Sequence, residues 1–146
     1  MLTEDQVVDV TRHWLERQGW EIKSYCHGTA KGDDILAVSP DGNILSVECK
    51  GAISPRTTQP FLGNYIWKSI SGALFNTIRC IEEADPTKRY AMAFPDKMEF
   101  RELTKSLREF YKRNNVYMFW VLPDGISEVW QPNPLLNLAP SVAGRR

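Results

Sequence analysis

The chain has no uninterrupted run of about 18 apolar residues, the minimum for a membrane-crossing helix, and this excludes a helical span in sequence terms. Its first residues, Met1-Leu2-Thr3-Glu4-Asp5, lack the basic and apolar regions of a secretory signal, so the expectation is a cytoplasmic protein with no membrane partner. Cysteine is scarce. Cys26, Cys49 and Cys80 are odd in number, widely spaced and without a C-x-x-C pair, which argues against a disulfide framework and a zinc site and for three reduced thiols. A charge excess is also missing, because 18 basic residues balance 18 acidic ones. That excludes coating nucleic acid by bulk electrostatics, but not an enzyme with a local positive groove and a metal.

With 146 residues, 42% of them hydrophobic, one small domain can bury a real core. The densest information lies between Gly32 and Gly51. Gly32-Asp33-Asp34-Ile35-Leu36-Ala37-Val38 and Ile44-Leu45-Ser46-Val47-Glu48-Cys49-Lys50-Gly51 read as two strands joined by Ser39-Pro40-Asp41-Gly42-Asn43. Pro and Asp at the corners of a type I turn, with Gly in the left-handed position, predict a three-residue hairpin loop with a bulge. If Ser39 faces Asn43, Asp34 falls opposite Glu48, and the two-residue period places Lys50 on the same face. Leu45, Val47 and Cys49 then point the other way.

Two carboxylates directly across a ladder repel, so this pairing requires a proton or a cation between them. Mg²⁺, with Mn²⁺ as a substitute, suits carboxylate oxygens and retained waters. Lys50 adds a positive charge for an anionic substrate or a nucleophilic water.

Asp34 followed by Glu48-Cys49-Lys50 resembles the signature of the PD-(D/E)XK nuclease superfamily, which includes restriction enzymes and Holliday-junction resolvases. The similarity covers roughly residues 3 to 95; no Pro precedes Asp34 here. It implies an α/β, restriction-endonuclease-like core: a mixed central sheet flanked by helices in the order αβββαβ, followed here by an extra helix and hairpin. It also implies a Mg²⁺-dependent DNA endonuclease, with Asp34, Glu48 and the main-chain carbonyl of Cys49 holding the metal and Lys50 acting on water. Glu4 corresponds to the superfamily's first-helix acid, with Asp5 and Asp9 as competitors, and Lys68 corresponds loosely to a helical Gln or Lys after the motif. Lys31, His27 and Arg56 are candidate substrate contacts. The alternative is a catalytically silent nuclease-fold subunit that binds DNA or serves assembly. Gly32-Asp33-Asp34 also spells the acidic pair of RNA-dependent polymerases, but 146 residues cannot supply palm, fingers and thumb.

Elsewhere, Thr3 and Gln6 form a capping box for a helix over about 4 to 18, with Val7, Val8, Thr11, Trp14, Leu15 and Gln18 on one stripe ending at Gly19. A strand follows over 20 to 26. Ile66, Ile70, Ala73, Leu74, Thr77, Ile78 and Ile81 predict a second helix over 63 to 84, and 89 to 94 reads as a strand. Asp96 with Glu99 predicts the cap of one helix carrying Phe100, Leu103, Leu107 and Phe110. Val116 to Leu122 should be a strand covered on both faces, and Pro123-Asp124-Gly125 a turn into 126 to 130. His13 is expected on a solvated helix face, and Trp67 and Trp120 are expected in packing. The loop 52 to 60 fits phosphate contact and a plain surface crossover equally well. Residues 1 to 130 are expected as the nuclease-like domain and 131 to 146 as a loosely ordered tail. A homodimer or a partner protein is expected, because two opposed strands are cut most simply by two copies; the 116–122 strand and the following hairpin could supply the interface, and core packing explains them as well.

Overall fold

A computed structural model describes residues 1–28, 32–53, 63–83 and 85–132. The elements run α1 (Glu4–Arg17), β1 (Glu21–Tyr25), β2 (Ile35–Val38), β3 (Ile44–Cys49), α2 (Gly63–Glu82), β4 (Lys88–Pro95), α3 (Met98–Lys105), α4 (Arg108–Arg113), β5 (Val116–Leu122) and β6 (Gly125–Trp130). All six strands join one sheet in chain order. The β1–β2, β2–β3 and β5–β6 pairs are antiparallel, whereas β3–β4 and β4–β5 are parallel, so the sheet is mixed and flanked by helices. A parallel pair needs a crossover connection, and α2 supplies it between β3 and β4.

The two-residue side-chain period sorts the core into two layers. Leu45, Val47 and Cys49 of β3, with Ala91, Ala93, Tyr117 and Phe119, pack beneath Val7, Val8 and Leu15 of α1. Met92, Phe94, Met118 and Trp120 point the opposite way, onto Ile66, Ile70 and Ala73 of α2 and Phe100 and Tyr111 of α3 and α4. Helix α1 and the α2–α3–α4 group therefore cover opposite faces. Burying each large side chain contributes about 1.5–3 kcal/mol, which makes this alternation the dominant constraint on register.

Both halves of the capping box are formed: Gln6 N donates to Thr3 Oγ1 at 3.2 Å, and Thr3 N donates to Gln6 Oε1 at 2.9 Å. Helix α1 stops where Gly19 takes φ 93°. In the first hairpin, Ser39 N donates to Asn43 O and Gly42 N to Ser39 O, both at 2.9 Å, with Gly42 at φ 86°. That is the expected loop. The second Pro-Asp-Gly differs, because Leu122 pairs with Gly125, which leaves a two-residue loop and places the glycine inside β6.

Three expectations need correction. The helix after β4 is two helices, α3 and α4, because the Thr104 hydroxyl bonds back to the carbonyls of Phe100 (2.8 Å) and Arg101 (3.1 Å) and competes with the ladder as it ends. Asp96 does not cap α3; Lys97 holds that position without a side-chain cap, since Asp96 is taken by Arg101 and Ser127. Trp67 is 61% exposed rather than packed, although Trp120 is buried as expected. Strand β5 lies between β4 and β6 and is buried apart from Leu122, which is the core-packing reading of that segment, while β6 forms the edge of the sheet.

Among the described residues no helix is long and apolar enough to cross a membrane. Of the tail expected over 131 to 146, residues 133–146 lie outside the described residues, as do Lys31, Arg56 and positions 54–60 of the loop 52 to 60.

Candidate active site

The β2–β3 register fixes the central pair. Ile35 faces Val47 and Val38 faces Ile44, so the same count continued one step places Asp34 across from Glu48. Asp34 lies just before β2, its carbonyl accepting the Cys26 amide at 3.0 Å and its Oδ2 accepting the Cys49 amide at 2.7 Å. A strand residue presents its amide and carbonyl to the same side, so the Cys49 carbonyl lies on the edge that receives Asp34. The Lys50 amide bonds in the other direction, to Ala93 O at 3.0 Å, which holds the end of β3 against β4.

Glu4 reaches this point through a close main-chain approach. Ala52 N donates to Leu2 O at 2.8 Å, and a Cβ on Gly51 would collide with the main chain of Thr3 and Glu4. Only glycine lets the start of α1 rest on the end of β3. The Glu4 carboxylate then lies 3.9 Å from Lys50 Nζ, and Glu48 Oε1 lies 3.5 Å from the same ammonium. Glu48 Oε1 also accepts from Asn76 Nδ2 of α2 at 3.2 Å. Glu48 and Lys50 are each 22% exposed, sheltered but open to solvent.

These groups line a cavity of about 820 Å³ between the sheet and α2, together with Asp33, Ser46, Thr77, Arg79, Cys80, Glu83 and Tyr90. Among the described lining residues, the five carboxylates of Glu4, Asp33, Asp34, Glu48 and Glu83 outnumber the two cations, Lys50 and Arg79. Burial first, then the charges of Glu48 and Glu4, raise the Asp34 carboxyl from 3.8 to about 7, against the lowering effects of the Cys49 amide and Lys50. Glu4 is also raised, chiefly by burial, with Lys50 opposing and Glu48 and Asp5 assisting. The Cys49 thiol, fully buried on the opposite face, is pushed well above its usual value, as suits a packing residue rather than a nucleophile. Among the described residues no three His, Cys, Asp or Glu side chains form a group able to hold a metal ion.

The structure brings Asp34, Glu48, Lys50 and Glu4 together and leaves other candidates outside. Of the three candidate acids on α1, Glu4 faces the cavity, whereas Asp5 accepts the Gly28 amide at 3.0 Å and Asp9 accepts from Arg12 Nε at 3.1 Å. His27 does not line the cavity; its Nε2 lies 2.9 Å from Asp9 Oδ1 and its ring meets Tyr25 edge-on. Lys68 is exposed on α2, with its ammonium 5.6 Å from the Tyr65 ring centre, and it too is absent from the lining. The helical amide near the acids is Asn76, two turns further along α2. Its position three residues after buried Ala73 and beside buried Thr77 puts it at the edge of the packed stripe, but spacing alone does not single it out from the other polar residues of α2. Asp33 was also passed over: its Oδ1 accepts from Ser46 Oγ at 2.6 Å and ties the segment before β2 to β3.

No protein-family model and no curated protein matches the sequence. Among solved structures, the fold is similar to an FdxN element excision controlling factor protein from Anabaena variabilis, with a TM-score of 0.55 and 19% identity over 88% of this chain and 99% of that one. At that identity the likeness concerns the fold alone.

Proposed function

We propose that this chain is a Mg²⁺-dependent DNA endonuclease of the PD-(D/E)XK type. The observation that carries the reading is the convergence of Asp34, Glu48 and Lys50 on one sheet face, with Glu4 delivered from α1 by the Gly51 contact. The element order from α1 to β4, helix, three strands, helix, strand, supports it as well.

The residues present suit a hard divalent cation. Lys50 is shared between two carboxylates, and Asp34 keeps its proton up to about pH 7, so the pocket is short of positive charge. The available donors are carboxylate and carbonyl oxygens, the ligands Mg²⁺ and Mn²⁺ take. Asp34 and Glu48 would hold the ion with the Cys49 carbonyl, water completing the shell. When bound, such an ion polarises a phosphate oxygen and acidifies a coordinated water.

The remaining steps belong to the chain's own side chains. Lys50, held between Glu4 and Glu48, places an ammonium where negative charge grows during attack on phosphorus, and orients the attacking water. Glu4, with its raised affinity for protons, accepts a proton from that water or aligns it. Asn76 fixes one oxygen of Glu48 and leaves the other free for its task.

The catalytically silent alternative keeps one specific support. The structural neighbour is named for controlling excision of an element, which suits a DNA-related role without naming hydrolysis. Incubating the full chain with linear, branched and single-stranded DNA, with Mg²⁺, Mn²⁺ or EDTA, separates the readings. Metal-dependent product lost in Glu48→Gln supports the enzyme; binding without cleavage in every metal supports the silent subunit.

A further inference from the structure

A zero net charge leaves unexplained how an acidic cavity would attract a polyanion, and the distribution of the cations supplies an answer. At the start of β4, a second concavity of about 250 Å³ is lined by Lys88, Arg89, Asn114, Asn115, Tyr90, Ile81, Asp85 and Pro86. Lys88 and Arg89 are both half-buried, and neither is ion-paired with a carboxylate among the described residues. Arg89 spends one N–H on a long 3.4 Å bond to Pro86 O, which leaves the rest of its fork available. Asp85, the one acid among the described lining residues, accepts the Thr87 amide at 2.9 Å and hydroxyl at 2.6 Å on its Oδ1. Those bonds, with a smaller effect of the nearby Lys88 charge, hold its carboxyl below the usual range, and its charge partly offsets that of Lys88. Among the described lining residues two cations face one acid, so the balance of charge favours an anion.

Three further features extend this basic end. Helix α4 carries Arg108, Lys112 and Arg113 against the single Glu109, and it runs directly into Asn114 and Asn115. Asn115 takes φ 54°, a left-handed conformation that places its polar side chain and main chain at the mouth of the turn before β5. Tyr90 lines this concavity and the acidic cavity alike, so the two adjoin. The register gives their spacing: Glu48 pairs with Met92 and Ile44 with Lys88, four residues along the strand. That is about 13 Å at 3.3 Å per residue, or about four nucleotides of duplex rise at 3.4 Å each.

We propose that Lys88, on the same sheet face as Glu48, with Asn114 and Asn115 and with Arg89 reaching the rim from the opposite face at the start of β4, forms a backbone-phosphate subsite that seats a nucleic-acid strand about four nucleotides from the acidic cavity. This deepens the nuclease reading by naming where substrate is held, and it is testable without turnover. Phosphate contacts of this kind position a strand and carry no sequence information.

The test is fluorescence anisotropy of the full chain with a labelled duplex in EDTA, where metal-dependent cleavage is silent, at several salt concentrations. Lys88→Gln and Arg89→Gln should each weaken binding about tenfold at low salt and reduce the salt slope by about 1. Lys88→Arg should restore both, and Lys23→Gln, which removes the same charge from edge strand β1, should change neither. Thermal midpoints confirm that each variant is folded. Unchanged affinity and slope in the Gln variants, an equal loss in Lys23→Gln, or no measurable binding by the wild type overturns the proposal. If the variants lose only the stabilisation given by inorganic phosphate, the site serves free phosphate and the nucleic-acid assignment falls. Binding lost in Lys88→Gln by a wild type that never cuts DNA removes the hydrolytic reading and keeps the subsite. Cleavage by a wild type whose Gln variants bind unchanged does the reverse.

Discussion

Replacing Asp34 by Asn should stabilise the metal-free protein at pH 8 and leave it nearly unchanged at pH 4. In the fold this carboxyl titrates near 7 against an ordinary 3.8, because burial and two neighbouring carboxylates disfavour its charge. Below pH 3.8 it is protonated in both folded and unfolded chains and imposes no cost. As pH rises the unfolded chain releases its proton first, so stability is lost progressively until the folded carboxyl ionises near 7. At 1.36 kcal/mol per pH unit the difference reaches about 4 kcal/mol, and partial solvent screening reduces this to about 2 kcal/mol. Asn is neutral throughout, and its carbonyl can still accept the Cys49 amide. Asp34→Ala lacks that acceptor, and an orphaned amide costs about 1–3 kcal/mol, so Ala should forfeit most of the gain. Urea denaturation of wild type and both variants in EDTA, at intervals from pH 4 to 8, gives the differences directly. A wild-type-minus-Asn difference that stays flat with pH, or that favours the wild type at pH 8, would refute the electrostatic account of this pocket.

Mg²⁺ or Mn²⁺ should raise the thermal midpoint of the wild type at pH 8, less so at pH 6 where Asp34 is protonated, and not that of Asp34→Asn; equal shifts in both proteins would place the ion elsewhere. Gly51→Ala should cost at least about 2 kcal/mol in urea midpoints, because its Cβ meets the main chain of Thr3 and Glu4, which cannot retreat as a side chain could. Arg101→Ala should cost about 2 kcal/mol by thermal denaturation, since Arg101 bonds Asp96 at 2.6 and 3.1 Å and Glu128 at 2.7 Å and stacks on Trp120 at 4.5 Å, joining α3 to the β5–β6 hairpin.

The site's central pair was legible because hairpin chemistry is local. Pro40-Asp41-Gly42 dictated the loop, the loop dictated the register, and the register placed Asp34 across from Glu48 with nothing needed from the remainder of the chain. The capping box and the α1 stripe were equally local. What the sequence left hidden depends on contacts between distant segments. Asp96 has the composition of a cap, but Arg101 and Ser127 compete for it, and Ser127 arrives from a different strand. His27 and Lys68 have the right chemistry for substrate, yet His27 is held by Asp9 and Lys68 lies on the exposed side of α2. Asn76 escaped notice because only the packing angle of α2 on the sheet determines which of its polar residues overlooks Glu48. Trp67 sits near a packed stripe, but its azimuth on α2 turns it outward, a difference that hydrophobic spacing alone resolves poorly.

Cleavage of a linear duplex by the wild type, Glu48→Gln and Lys50→Ala, each with Mg²⁺, Mn²⁺ or EDTA, tests the hydrolytic reading most directly. The account predicts product from the wild type with either metal, none in EDTA, and losses of at least about a hundredfold in both variants, whose folds remain intact by thermal midpoint. Equal cleavage by wild type and Glu48→Gln, or no cleavage by a folded, DNA-binding wild type in either metal, would contradict it.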